Sequence, residues 1–173
     1  MCKTVPIENI GAETPSKTDV KLMNQANSLS KTATRHFKDG YNCSQSVLLT
    51  MAEYWKCKNE LIPKMATAFG GGMARCGSAC GALTGGLMAI GIKYGTNEPS
   101  SEKAACAYEL AKTFYRRFEK RNGSILCREL IGLDLSDTEQ RKKAREEHLF
   151  EKKCPAFVKS AVEILATLSP DTI

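Results

Sequence analysis

No stretch of this sequence is long and apolar enough to cross a bilayer. The longest nearly apolar run, residues 79–92, falls short of a span and is interrupted by glycines, so it reads as a buried helix. The first residues carry no continuous apolar segment of the kind a secretory leader needs, and no hydrophobic region precedes Cys2, which argues against a lipid-anchored start. These absences predict a cytoplasmic protein with no membrane insertion. Strand-like alternation is missing throughout, and so is any internal repeat. Charge of one sign is nowhere concentrated: the formal net charge is +6, with Lys and Arg interleaved with Glu, as in residues 116–121. That pattern describes solvated helix faces, whereas a nucleic-acid surface is more one-sided and offers aromatics for base stacking, so no nucleic-acid partner is expected. Only two histidines occur, His36 near the end of the first helix and His148 in a charged one, and neither signals a Cys–His nucleophile pair. Gly70-Gly71-Gly72 lacks both the preceding strand and the following Lys-Ser or Lys-Thr of a phosphate cradle.

Cysteine is what the chain does have, eight residues in 173. A chain of this length buries a substantial core without covalent staples, and cytosolic thiols stay reduced. Eight cysteines therefore point to metal binding, catalysis or thiol redox rather than a disulfide scaffold.

Residues 1–16 lack periodicity, carry Pro6, Gly11 and Pro15, and read as a mobile arm, leaving 17–173 as a single helical domain. Helical spacing begins with Leu22, Ala26, Leu29, Ala33 and Phe37, and Gly40 ends that run. Asn42 suits the cap of a second helix showing Val47, Leu48, Met51, Tyr54 and Trp55. Pro63 opens a short helix to Phe69, and the glycine-rich segment to Gly81 demands unusual backbone. From Cys80 the spacing of Leu83, Leu87, Ile90 and Tyr94 is helical again, with apolar residues on the other faces too, which predicts a central helix. Gly81, Gly85, Gly86 and Gly91 each weaken it by roughly 1 kcal/mol relative to alanine, and close contact with neighbouring helices or a ligand is the expected compensation. The next helix shows Ala104, Tyr108, Ala111, Tyr115 and Phe118 on one stripe, with Ala107, Leu110 and Phe114 beside it. Ser124 is placed to cap a short helix, Ser136 to begin a charged helix through about Lys152, and Cys154-Pro155 to start the last one, with proline at its first position. The expected fold is an all-α, single-domain bundle of about six to seven helices around a central Gly-rich helix.

Cys43, Cys80, Cys127 and Cys154 each fall in this reading at the start of a helix. Unpaired N–H groups and about half a unit of positive charge there stabilise a thiolate, which is both the nucleophile of disulfide exchange and the preferred ligand of soft metals. Four ionised sulfurs in one pocket repel one another, so a cation or an iron–sulfur core would neutralise them; without one, pairs would stay protonated or oxidise. Backbone N–H groups of Gly70, Gly71, Gly72, Gly77 and Gly81 are placed to surround such a centre and tune it. Cys76, four residues before Cys80, reads as a resolving thiol, a further ligand or an ordinary loop residue. Cys106, mid-helix between alanines, Cys57 and Cys2 read as packing or surface residues. Arg75 and Arg128 neighbour site cysteines and either stabilise thiolate charge or pair with a carboxylate such as Glu129.

The blocks Tyr41-Asn42-Cys43-Ser44-Gln45-Ser46-Val47, Phe69-Gly70-Gly71-Gly72-Met73, Cys80-Gly81-Ala82-Leu83-Thr84-Gly85 and Cys127-Arg128-Glu129-Leu130-Ile131-Gly132, with the closing Cys154, resemble the redox-active family named for the pattern C_GCAxxG_C_C. The resemblance covers about three-quarters of the chain by block position. It implies a four-cysteine redox role. A similar domain in split-Soret cytochromes implies an iron–sulfur or other thiolate-bound metal centre at these cysteines, and a homodimer. No Cys-x-x-Cys-His motif is present, so haem is not expected. The leading expectation is electron transfer with an unidentified redox partner, Cys43, Cys80, Cys127 and Cys154 being the metal ligands. The alternatives are a thiol–disulfide oxidoreductase using the same cysteines as dithiol pairs, Cys76 resolving Cys80, and a structural zinc module.

Overall fold

The computed structural model describes residues 17–57 and 59–169. The expected arm at 1–16 and Cys2 lie outside them. The described residues form seven α-helices and one 3₁₀ helix: α1 (Lys17–Lys38), α2 (Cys43–Tyr54), the 3₁₀ helix (Lys64–Phe69), α3 (Gly81–Tyr94), α4 (Ser101–Asn122), α5 (Cys127–Ile131), α6 (Thr138–Glu146) and α7 (Leu149–Ala166). No strand occurs among them, and the all-α bundle read from the sequence is the fold observed. A lone antiparallel bridge pairs Ala79 with Leu126.

Helix α3 sits at the centre, as its apolar faces predict, packed against α2, α4, α7 and the 3₁₀ helix, while α1 lies along α2 and α7. Its glycines permit this. A Cβ at Gly85 would strike the Ser44 backbone and one at Gly86 the ring of Phe114, whereas Gly91 faces open space. The predicted compensation by close contact therefore holds at Gly81, Gly85 and Gly86 and fails at Gly91.

Two apolar clusters result. The larger joins Val47, Leu48, Met51, Leu83, Ile90, Leu110, Phe114, Phe118, Val158 and Leu165 with Cys43 and Cys80. The smaller holds Ile131, Leu135 and Ala144 with Cys127 and Cys154. Helix α4 contributes Leu110, Phe114 and Phe118 to the first. Tyr108, expected inward, is 72% exposed, because the stripe beside it supplies the buried face. Outside the apolar contacts, Glu163 of α7 ties three helices together by accepting from Ser30 of α1 (2.9 Å) and Arg121 of α4 and pairing with Lys159.

Three helix starts differ from the sequence reading. Leu126, not Ser124, caps α5, since the Ser124 hydroxyl is engaged in a turn with the Leu126 N–H (2.9 Å) and with Glu129. Asp137, not Ser136, caps α6, accepting from the Gln140 N–H at 2.8 Å. The charged helix breaks at His148, whose φ of 53° is left-handed, and α7 starts at Leu149. Cys154 is therefore inside α7, about a turn and a half beyond its first residue, and Pro155 is an interior proline rather than a helix opener.

Candidate functional site

Each cysteine of the predicted quartet is placed by a different local device. Cys43 is the first residue of α2. Asn42 caps that helix by accepting from the Ser44 and Gln45 N–H groups at 3.0 Å each, and Gln45 Oε1 returns a bond to the Asn42 N–H at 3.1 Å, a complete capping box. The same two side chains donate to the Thr67 carbonyl and hydroxyl, at 2.9 and 3.0 Å, which fixes the 3₁₀ helix beside the α2 terminus.

Cys80 and Cys127 are set by the bridge. The Cys80 N–H donates to the Ile125 carbonyl (2.8 Å), the Cys127 N–H to that of Ser78 (2.7 Å) and the Arg128 N–H to that of Gly77 (3.0 Å). Both cysteines flank the bridging pair, so side-chain alternation sends them to the same face. Sequence reasoning missed this link, because a two-residue pairing leaves no alternation to detect.

Between the 3₁₀ helix and the bridge the backbone turns left-handed for five residues: Gly71, Gly72, Met73, Ala74 and Arg75 have φ of 68, 74, 58, 54 and 63°. For the three non-glycines this costs about 1–2 kcal/mol each. The segment is held by backbone bonds, Arg75 N–H to Gly70 (3.2 Å), Gly77 N–H to Gly71 (3.2 Å) and Ser78 N–H to Gly72 (3.0 Å). Arg128 adds a clamp through its guanidinium to the carbonyls of Cys76 (2.9 Å) and Gly77 (3.1 Å), and pairs with Asp134 at 3.2 Å rather than with Glu129. The glycines serve close approach. Gly72 lies on the Cys127 Cβ, and a Cβ on Gly81 would collide with the Cys43 sulfur. Gly70 lies against the Asn42 side chain, and Gly77 lies under Arg128 rather than beside a sulfur.

The four cysteines, from α2, the α3 cap, α5 and α7, line one cavity of about 670 Å³ at the seam between the two apolar clusters. Gly70 and Gly71 line it too, as do Phe37, Tyr41, Phe150 and Phe157. Cys76 does not: it is exposed on the left-handed segment, its sulfur turned toward the Ala74 carbonyl at 3.9 Å. Cys57 and Cys106 lie elsewhere as partly buried residues. His36 is buried beside Glu53 at 3.2 Å, against Tyr41, and neither histidine lines the cavity.

All four thiols are buried, and burial is the main force raising their proton affinity. Cys127 is pushed up to about 12, by burial and then by the negative charge Cys43 would carry. Cys80 rises through burial and the charges of Cys43 and Cys127, opposed by the N–H groups of Ala82 and Leu83 at the start of α3. Cys154 rises through burial, the other three cysteines and Glu151. Cys43 also rises, although the N–H groups of Gly71, Ser44, Cys43 and Gly81 favour its thiolate. The expectation that helix starts would hold thiolates is thus reversed: the amides act in the predicted direction, but desolvation and mutual repulsion exceed them.

Four soft donors whose ionised forms repel one another are chemically matched to a thiolate-bound metal centre, which would supply the missing positive charge. Gly81 keeps room at the Cys43 sulfur that any side chain would fill. Among the described residues no three His, Cys, Asp or Glu side chains stand close enough to hold a single ion as arranged, so the donors surround a space rather than a point.

The sequence profile of the family described as "Putative redox-active protein (C_GCAxxG_C_C)" matches residues 41–168, which include all four cavity cysteines. The chain belongs to this family. An uncharacterized protein of Archaeoglobus fulgidus is 33% identical over 133 residues, 71% of this chain and 81% of its own length. No solved structure matches. The family is redox-active by description, and among the described residues the matched region here is helices and loops with the single bridge.

Proposed function

We propose that this member of the C_GCAxxG_C_C family is an electron-transfer protein whose Cys43, Cys80, Cys127 and Cys154 hold an iron–sulfur or related thiolate-bound metal centre. The observation that carries this reading is the arrival of four buried cysteines, distant in sequence, at one cavity. When bound, such a centre supplies one-electron redox chemistry. The chain contributes burial, which excludes water, and the amides of Gly71, Ser44 and Gly81, which favour negative charge on the Cys43 sulfur and so bias the potential. A cytoplasmic location, a homodimer and a separate redox partner belong to the same reading. No helix of the described residues is long and apolar enough to cross a membrane.

A dithiol–disulfide oxidoreductase is the second reading, favoured by Cys80 and Cys127 sharing one face of the bridge. In that case Cys76 resolves nothing from its present place, because it is exposed while Cys80 is buried. A single structural zinc ion would require the sulfurs to close in from the arrangement seen.

Anaerobic purification followed by a visible spectrum and iron, zinc and sulfide analysis separates the three. Charge-transfer bands with iron and sulfide support the proposal. Zinc alone, or a colourless metal-free protein with reversible thiol titration, overturns it. Cys127→Ser removes most of the iron and colour, whereas Cys106→Ser leaves both at the unsubstituted level.

A further inference from the structure

The cavity has a second chemical character that the four sulfurs do not use. Around its opening stand Lys38 from the end of α1, Arg75 from the left-handed segment, and Arg141 and Arg145 from α6, with Glu151 the one carboxylate among its lining residues. Lys38, Arg75 and Arg145 are exposed, and among the described residues none of the three has an ion-pair or side-chain hydrogen-bond partner. Arg141 is engaged with the Leu135 carbonyl at 3.3 Å, which holds the loop before α6. On the same helix Lys142 pairs with Glu146 and Lys143 with Glu147, whereas Arg145, which lines the cavity, pairs with neither.

Four aromatic side chains line the cavity too, Phe37, Phe150 and Phe157 half-buried and Tyr41 exposed. A volume of about 670 Å³ is that of a small-molecule site, larger than a metal centre alone requires. Of the lining residues, Lys38, Arg75 and Arg145 are exposed, the three phenylalanines half-buried and the four sulfurs buried.

We propose that this cavity binds a small organic anion, its carboxylate or phosphate head held at the mouth by Arg75 and Arg145 with Lys38, and its apolar body lying on the aromatic side chains toward the cysteines. Planar guanidinium groups are suited to such heads because they donate two parallel N–H bonds to an oxyanion. The proposal rests on the cavity being the working site, but not on which centre the sulfurs carry. It makes the redox-active pocket a place where a soluble anionic molecule meets the sulfurs directly.

Isothermal titration of the full chain as isolated, with 1-naphthoate, 1-naphthyl phosphate and the neutral 1-naphthamide, tests this. The expected result is one site for at least one of the anions, with the amide about tenfold weaker. Arg75→Gln and Arg145→Gln each weaken the anion by about tenfold and leave the amide unchanged, and added salt acts on the anion alone. Preference for naphthoate over naphthyl phosphate identifies a carboxylate head, and the reverse a phosphate head. Equal binding of amide and anions, unchanged anion affinity in both variants, or no binding of either anion overturns the proposal. Arg145→Gln lies on an exposed helical face, so it remains informative should the variant in the left-handed segment fold poorly. Iron, sulfide and thiol content measured on the same samples keeps the two readings apart. An intact centre without anion binding defeats only the anion site, and anion binding without a centre defeats only the electron-transfer reading.

Discussion

Replacing Gly81 by alanine places a methyl group against the Cys43 sulfur, with the Phe69 carbonyl at 3.0 Å and the Ser44 nitrogen at 3.2 Å closing the other sides. The sulfur can rotate away but the two backbone atoms cannot, so the helix start must shift. Overpacking of this kind costs about 1–3 kcal/mol, against which the better helix propensity of alanine returns roughly 1 kcal/mol. Gly91, in the same helix, has nothing within 4 Å of where its Cβ would stand. Gly91→Ala therefore collects the propensity gain alone, about 0.5–1 kcal/mol of stabilisation. The two substitutions are chemically identical and differ only in surroundings, so their separation of about 2 kcal/mol isolates the contact. In a chain of this size that is roughly 4–8 °C in Tm, read by circular dichroism on metal-free protein alongside a denaturant titration. A Gly81→Ala protein as stable as Gly91→Ala refutes the packing of α3 on Cys43, and with it the geometry of the cavity floor.

The buried thiols also make the metal-free chain sensitive to alkali. Because burial raises the four thiols above their ordinary value of 9.0 in the folded state, the contribution to stability is complete below pH 9. It declines as pH rises toward the folded value, about 12 at Cys127, so metal-free protein loses denaturant midpoint steadily across that interval. A flat profile contradicts the burial. Separately, His148→Gly relieves a left-handed non-glycine at an exposed position and raises stability by about 1 kcal/mol in chemical denaturation; a loss instead shows that the imidazole makes a contact there.

How much was legible follows from how local each signal is. The Asn42 cap and the apolar spacing of α4 act within a turn or two, and sequence exposes them, whereas the α3 glycines announce close contact without naming its distant partners, Ser44 and Phe114. Cys154 was misplaced because Pro155 has the residue type of a first helical position, while the true start depends on the left-handed His148, a residue type with no strong claim to that conformation. The pairing of residues 77–80 with 125–128 joins segments far apart in the chain and is too short to impose a period. The glycine run announced unusual backbone, but its continuation through Met73, Ala74 and Arg75 depends on Arg128 reaching across from α5. Convergence of the four sulfurs is a product of these non-local links, which is why spacing alone gave no geometry.

The seam on which the cavity lies would give an occupant a mechanical part to play. One apolar cluster carries Cys43 and Cys80, the other Cys127 and Cys154, and these are already joined by α7 and by the pairing of residues 77–80 with 125–128, so a centre bridging the sulfurs would add one more tie across the seam. Its binding free energy would then reinforce the smaller cluster, and a chain without it would loosen first at helices α5 and α6 and yield there earliest to a protease.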